Sequence, residues 1–210
     1  MRSWTVTILV VLLIAVPVSL KIGKAQLALY RAGTTDELTG LLNRRAFLEE
    51  VDDSTFLALI IVDVDEFKHV NDRHGHWIGD QVLRATATMM ARSLGEFGRV
   101  GRLGGEEFAL LAYRDDRALL LRQLELFRET IARTPILTDG VPVSITISAG
   151  VATRDGRQTF QQLFVQADRA LYEAKARGRN RIILAENLKL GSDAGAVRIA
   201  GRGHRRWLGR

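Results

Sequence analysis

The chain has 210 residues, a formal net charge of +6 and a sequence pI near 10.1, enough for one domain with a full core plus appendages and too little for two enzymes. It contains no cysteine, which excludes disulfide frameworks and thiolate metal sites, so any metal must be held by oxygen or imidazole, a donor set that favours hard cations such as Mg²⁺. Much of the positive excess lies beyond Leu188, where Lys189, Arg198, Arg202, Arg205, Arg206 and Arg210 face only Asp193; this describes a basic tail on an ordinary domain, not a nucleic-acid-binding surface.

From Trp4 to Leu20 every residue is apolar or small and uncharged. The run is near the lower length limit for crossing a bilayer and predicts a transmembrane helix over residues 1–20. A cleaved signal peptide is the rival reading, for which Val18-Ser19-Leu20 is a poor cleavage site. Arg2 before the run against Lys21, Lys24 and Arg31 after it places the following domain in the cytoplasm. Residues 21–35 are weakly amphipathic and predict a linker helix about 20 Å long, suited to pairing with a second copy. Gly33-Thr34-Thr35 breaks that pattern, and Asp36 to Arg45 turns into a short helix from Arg44 to Val51.

The run Phe56 to Val62 is apolar throughout, as in a strand buried on both faces, and it ends on Asp63-Val64-Asp65. A polar helical segment, Glu66 to Arg73, precedes His74-Gly75-His76, after which Ile78, Val82, Met89, Met90 and Leu94 mark an amphipathic helix. Gly95 and Gly98 end it. Arg99 to Arg102 and Glu107 to Tyr113 form the arms of a hairpin turning at Gly104-Gly105. A helix carrying Leu120, Leu124, Phe127 and Ile131 stops at Pro135, and Val141 to Ala152 alternates as one strand. A further helix carries Phe160, Leu163, Ala167, Ala170, Leu171 and Ala174, Lys175 to Asn180 closes it, and Arg181 to Leu184 is a last strand. The tail 186–210 has no periodicity and reads as disordered. The order predicts a ferredoxin-like α/β sandwich over residues 36–185, with a central, mostly antiparallel sheet flanked by helices. In that arrangement the end of the first strand and the hairpin tip lie together.

Asp63, Asp65, Glu106 and Glu107 then converge as an oxygen-ligand site for a hard cation beside glycines that let a phosphate approach the backbone. Phosphoryl transfer is the chemistry that uses such sites. Lys68, Lys175 and Arg179 supply cations for a triphosphate, the last two on one face if their helix continues. Asn71 and Asp80 can read a base: a carboxylate accepts from guanine N1–H and its 2-amino group but meets the acceptor N1 of adenine unfavourably. The bland alternatives stand beside these readings, a helix end complementing its own dipole for the cations and a first-turn helix residue for Asp80. His74 and His76 lack a third nitrogen ligand for zinc, and neither a Walker loop nor a dinucleotide fingerprint is present.

Five stretches, in order, resemble the GGDEF family of bacterial diguanylate cyclases: Asp36-Glu37-Leu38-Thr39-Gly40-Leu41-Leu42-Asn43-Arg44-Arg45, Asp63-Val64-Asp65-Glu66-Phe67-Lys68, Asn71 through Asp80, Gly104-Gly105-Glu106-Glu107-Phe108, and Ala174-Lys175-Ala176-Arg177-Gly178-Arg179-Asn180. The resemblance implies condensation of two GTP, one on each of two facing domains, to cyclic di-GMP and pyrophosphate. It implies Mg²⁺, or Mn²⁺ in its place, on Asp63, the Val64 carbonyl and Glu106, with Glu106 accepting the proton and Glu107 shaping the site. It also implies Lys68 at the transition state, Gly104 and Gly105 beside the substrate, Lys175 and Arg179 on the terminal phosphates, and Asn71, His76 and Asp80 on the guanosine. With the N-terminal span, the expectation is a homodimeric, single-pass enzyme of the bacterial inner membrane. One departure stands out. Where many members carry an Arg-x-x-Asp product-inhibition site, this chain has Gly95 and Gly98, which offer neither a guanidinium fork nor a carboxylate. The alternative is a catalytically silent module that binds GTP or cyclic di-GMP; a cyclase that also accepts ATP is disfavoured by Asp80.

Overall fold

Seven consecutive buried residues, Ala58–Val64, form β1, and a strand without a solvent face must carry packed layers on both sides. A computed structural model describes residues 11, 13–24, 33–51, 56–114, 116–156 and 158–188. Its helices are α1 (Arg44–Glu49), α2 (Phe67–His74), α3 (His76–Leu94), α4 (Arg117–Arg133) and α5 (Phe160–Ala176). After β1 come β2 (Gly98–Gly104), β3 (Glu107–Ala112), β4 (Ile136–Thr138), β5 (Val141–Val143), β6 (Ile147–Thr153) and β7 (Ile182–Leu184).

The main sheet runs β2-β3-β1-β6-β7. β1 is antiparallel to both β3 and β6, β2 is antiparallel to β3, and only β6–β7 is parallel, joined by the α5 crossover. The first four strands therefore have the ferredoxin-like order expected from the sequence. One face packs Ile60, Val62, Phe108 and Leu110 against α2, α3 and α4, through residues such as Val82, Met90, Leu124 and Phe127. The other packs Leu59, Ile61, Ala109 and Leu111 against Phe47 of α1 and Leu163, Ala167 and Leu171 of α5. Each fully buried Ile or Leu here contributes roughly 1.5–3 kcal/mol.

Two expectations are corrected. The alternation from Val141 to Ala152 is not one strand: β5 pairs with β4 in a separate hairpin, and β6 begins at Ile147 with its first six residues buried. The hairpin turns at Asp139-Gly140, both at positive φ, a turn pair that accepts left-handed conformations. Gly33 and Thr34 are helical, so the pattern break falls at Thr35. At the N-terminus, residues 13–24 are helical and expose Leu13, Ile14, Val16, Val18, Leu20 and Ile22. The rest of the expected membrane span, much of the linker and the tail from residue 189 lie outside the described residues, among which no helix is long and apolar enough to cross a membrane.

The α5–β6 contact depends on the absence of a side chain at Gly150, where a Cβ would stand 2.0 Å from the Ala167 carbonyl oxygen and 2.3 Å from the Leu171 nitrogen. Backbone cannot rotate aside as a side chain can. Gly150→Ala is therefore expected to cost about 2–3 kcal/mol, read as a lower urea midpoint at unchanged m-value.

Candidate active site

Alternation along β1 decides which acids share a face. Leu59 and Ile61 pack toward α1 and α5; Asp63 continues that odd-numbered set and so falls on the α5 side. There Lys175, in the last turn of α5, places Nζ 2.6 Å from Asp63 Oδ2. Asp63 is only 3% exposed. Burial pushes its pKa up to about 7 despite the opposing pull of Lys175, and the neighbouring charges of Glu106 and Glu107 add to the rise.

Those glutamates have different positions. Glu107 opens β3 and pairs with Asp63 across the sheet. Gly104 pairs with Glu107 across β2–β3, so the turn itself is Gly105-Glu106. Gly105 takes φ +55, the left-handed conformation that glycine adopts without steric cost. The Glu106 carbonyl accepts from Val64 N–H at 3.3 Å, which ties the turn to the end of β1. The half-buried Glu106 side chain makes no hydrogen bond or ion pair among the described residues.

The turn is held from behind by a group with no assigned part in the sequence reading. Arg102 donates from Nε and Nη2 to the Gly105 carbonyl at 3.0 and 2.7 Å, and from Nη1 to Asp36 Oδ1 at 3.0 Å. Asp36 also accepts from the Thr39 N–H and hydroxyl at 2.9 and 2.6 Å. Burial works to raise the Asp36 pKa, but the hydrogen bonds from Thr39 and Arg102 together outweigh it and hold the carboxylate below its ordinary value. The entrance loop also lies along the β2 edge through Leu42, which accepts from Arg102 N–H at 2.8 Å.

Asp65 does not join Asp63 and the two glutamates. Its Oδ1 accepts from the Ser148 hydroxyl at 2.7 Å, and Oδ2 from the Thr146 hydroxyl at 2.7 Å and the Asn180 N–H at 3.0 Å. A buried carboxylate with three donors already has its charge distributed. The hydroxyls at 146 and 148 were the available signal: spaced by two, they face one way from the start of β6. Through Asn180, Asp65 also anchors the loop that presents Arg179. Here the helix does not continue: α5 ends at Ala176, and Gly178, Arg179 and Asn180 take φ of +105, +61 and +46. Arg128 completes the anchor, donating to Asn180 Oδ1 at 2.6 Å.

A cavity of about 440 Å³ separates this loop from the start of α2, lined by Glu66, Thr146, Arg179 and Asn180 among others. Glu66 precedes α2 at φ +54 and gives no side-chain cap, so first-turn N–H groups are left for an anion, with Lys68 exposed beside them. Farther along lie Asn71, half-buried on α2, and His76 and Asp80, one turn apart on the first two turns of α3.

Among the described residues no three His, Cys, Asp or Glu form a metal cluster. Asp63, Glu106 and the Val64 carbonyl nevertheless suit Mg²⁺, which needs only one or two protein carboxylates and completes its octahedron with water and phosphate. Lys175 beside Asp63 shows that the buried carboxylate accepts a cation there.

The chain matches the family model for "Diguanylate cyclase, GGDEF domain" over residues 33–181, which includes every site residue above. It is similar to the diguanylate cyclase DgcM of Escherichia coli K12, 40% identical over 165 residues covering 75% of this chain and 40% of that protein. It is also similar to the diguanylate cyclase DgcP of Pseudomonas aeruginosa, 38% identical over 159 residues covering 72% of this chain and 24% of the relative. The chain thus spans less than half the length of either curated relative. Among solved structures it resembles the coiled coil and GGDEF domain of Caulobacter crescentus DgcB in complex with c-di-GMP, with a TM-score of 0.75 at 30% identity, covering 85% of this chain and 99% of that one. Pseudomonas aeruginosa diguanylate cyclase SiaD, in complex with its activator SiaC, gives 0.67 at 32% identity, covering 87% and 74%.

The raised Asp63 pKa has a signed consequence for stability. Between 3.8 and about 7 the folded state keeps a proton that the unfolded chain releases, so without divalent cation stability falls as pH rises through that window and levels off above it. Asp63→Asn removes this pH dependence. The variant is expected to melt above wild type at about pH 8 and to converge with it only as pH falls to about 4, and added Mg²⁺ is expected to raise the wild-type melting temperature alone.

Proposed function

The chain belongs to the GGDEF family of diguanylate cyclase domains, and on that premise we propose that it joins two GTP molecules into cyclic di-GMP, releasing two pyrophosphates. The observation that carries the reading is the buried Asp63 carboxylate, facing Glu106 and Glu107 across the end of the sheet with Lys175 at 2.6 Å. In each half-reaction the 3′-oxygen of one nucleotide bonds to the α-phosphorus of the other. The bond from that phosphorus to the bridging oxygen breaks, and the hydroxyl proton passes to Glu106. Its position in a turn held by Arg102 suits it to this role, because little reorganisation is then needed.

Asp63, Glu106 and the Val64 carbonyl would hold the Mg²⁺, which when bound neutralises phosphate charge and polarises the attacked centre. Mn²⁺ has the same oxygen preference. Uncapped N–H groups at the start of α2 receive phosphate oxygens, and Lys68 offsets charge developing at the α-phosphate. Lys175 turns from Asp63 to the terminal phosphates, joined by Arg179 from its left-handed loop. Gly104 and Gly105 leave the hairpin tip low, and Glu107 keeps the field on Asp63 negative. Asn71, His76 and Asp80 take the guanosine, with Asp80 accepting from the donor edge that adenine lacks.

One domain binds one GTP, so condensation requires a second copy facing it, and the active species is a homodimer. The exposed apolar helix over residues 13–24, continuous in sequence with the run from Trp4, supports tethering to the bacterial inner membrane with the catalytic domain in the cytoplasm. Incubating the full chain with GTP and Mg²⁺ tests the activity: Glu106→Ala is expected to lose at least about 10²-fold in turnover. Equal turnover by the two proteins would refute the mechanism, and GTP binding without turnover by wild type would favour a silent binding module.

The product has a second expected behaviour. Gly98 opens β2 so close to its neighbour that a Cβ there would stand 1.9 Å from the Leu111 carbonyl oxygen. The backbone has closed where an inhibitory carboxylate would project. Cyclic di-GMP is therefore expected to inhibit only weakly in a titration of initial rates, and strong inhibition abolished by changes at residues 95–98 would contradict this.

A further inference from the structure

We infer that Gly79 is a positioning residue for base recognition, its missing side chain fixing the Asn71 carboxamide beside Asp80. The inference rests on the guanine reading of Asn71 and Asp80. Helices α2 and α3 are joined by Gly75 alone and pack together. Gly79 is buried in the first turns of α3. A Cβ built on it would lie 1.9 Å from Asn71 Oδ1 and 3.1 Å from both Asn71 Cγ and Phe67 Cζ. The amide oxygen thus sits on the glycine itself. It is buried and has no hydrogen-bond partner, although buried amide oxygens ordinarily have one.

Contact with Gly79 therefore fixes the position and plane of this carboxamide. With one corner of the amide seated on Gly79, the other corner is the part left to meet a ligand. A donor from Asn71 beside the Asp80 acceptor suits guanine, which offers ring-nitrogen acceptors next to its N1–H and 2-amino donors.

The same geometry separates positioning from a packing role. The atom that a methyl at 79 would strike is the end of a rotatable side chain, so Asn71 can swing away at little cost to the fold, and alanine is the better helix former. Had the nearest atoms been backbone, as at Gly150, the substitution would destabilise the domain instead. What the glycine secures is the direction of the amide.

The test compares the wild-type chain with Gly79→Ala, Asn71→Ala and the double variant, measuring melting temperature, GTP affinity by calorimetry, and KM and kcat with Mg²⁺. Gly79→Ala is expected to melt at or above wild type, to weaken GTP binding and raise KM about tenfold, as for a lost hydrogen bond, and to keep kcat at saturation within about threefold. On the Asn71→Ala background, which leaves room for the methyl, Gly79→Ala is expected to add nothing. The inference is overturned if wild type binds GTP and Gly79→Ala binds it equally, if the two losses add in full, or if Gly79→Ala melts clearly lower. Failure of wild type itself to bind GTP would remove the guanine reading and this inference with it.

Discussion

Burial of a carboxylate at the end of a doubly covered strand is the constraint on which the rest of this site depends. β1 is shielded by helices on both faces, so an acid placed at its carboxyl end leaves water unless something charged or hydrogen-bonding meets it. Two such acids stand there, and the chain treats them in opposite ways. Asp65 receives two hydroxyls and a backbone amide and becomes structural. Asp63 receives one lysine, itself partly exposed, and two further carboxylates nearby. One acid is settled and the other is left wanting a cation.

The settled acid serves the unsettled one. Asp65 holds the N–H of Asn180, and Arg128 holds its side-chain oxygen, so the loop with three successive positive-φ residues is tied at both ends of Asn180. Non-glycine residues in the left-handed region cost energy, and Arg179 and Asn180 both occupy it. That cost is offset by hydrogen bonds to a buried carboxylate and a nearly buried guanidinium. The result is a fixed path for Arg179 beside the cavity that Glu66 and Thr146 also line.

Much of this was legible in the sequence for a specific reason. The unbroken run from Phe56 announced a central strand, and the paired glycines announced the hairpin; these two elements alone bring Asp63 to Glu106. What escaped were features in which local pattern competes with tertiary context. The β4–β5 hairpin carries an Asp139-Gly140 turn signal, but its second arm merges into the longer alternation from Val141 to Ala152. Arg179 appeared to extend the α5 face, although Gly178 allowed the chain to leave the helix. Asp65 resembled a metal ligand because the spacing of Thr146 and Ser148 shows that their hydroxyls share a face but not that this face meets the end of β1. The role of Arg102 was equally hidden, its two partners being separated from each other by sixty-nine positions in numbering from Asp36 to Gly105.

That guanidinium also explains how a tight turn can be both glycine-rich and precise. Glycine gives Gly105 access to positive φ but carries the greatest loss of backbone freedom on ordering. Arg102 offsets the loss by two hydrogen bonds to the Gly105 carbonyl, and it is itself fixed by Asp36, which the Thr39 hydroxyl and amide hold in place. The clamp lies on the side of the hairpin where the chain enters the domain, and the Val64–Glu106 hydrogen bond lies on the side facing β1. Glu106 is thus held through its backbone from two directions while its carboxylate makes no bond among the described residues. The proton acceptor proposed here requires that combination, a fixed position with uncommitted oxygens, and neither half of the clamp could supply it alone.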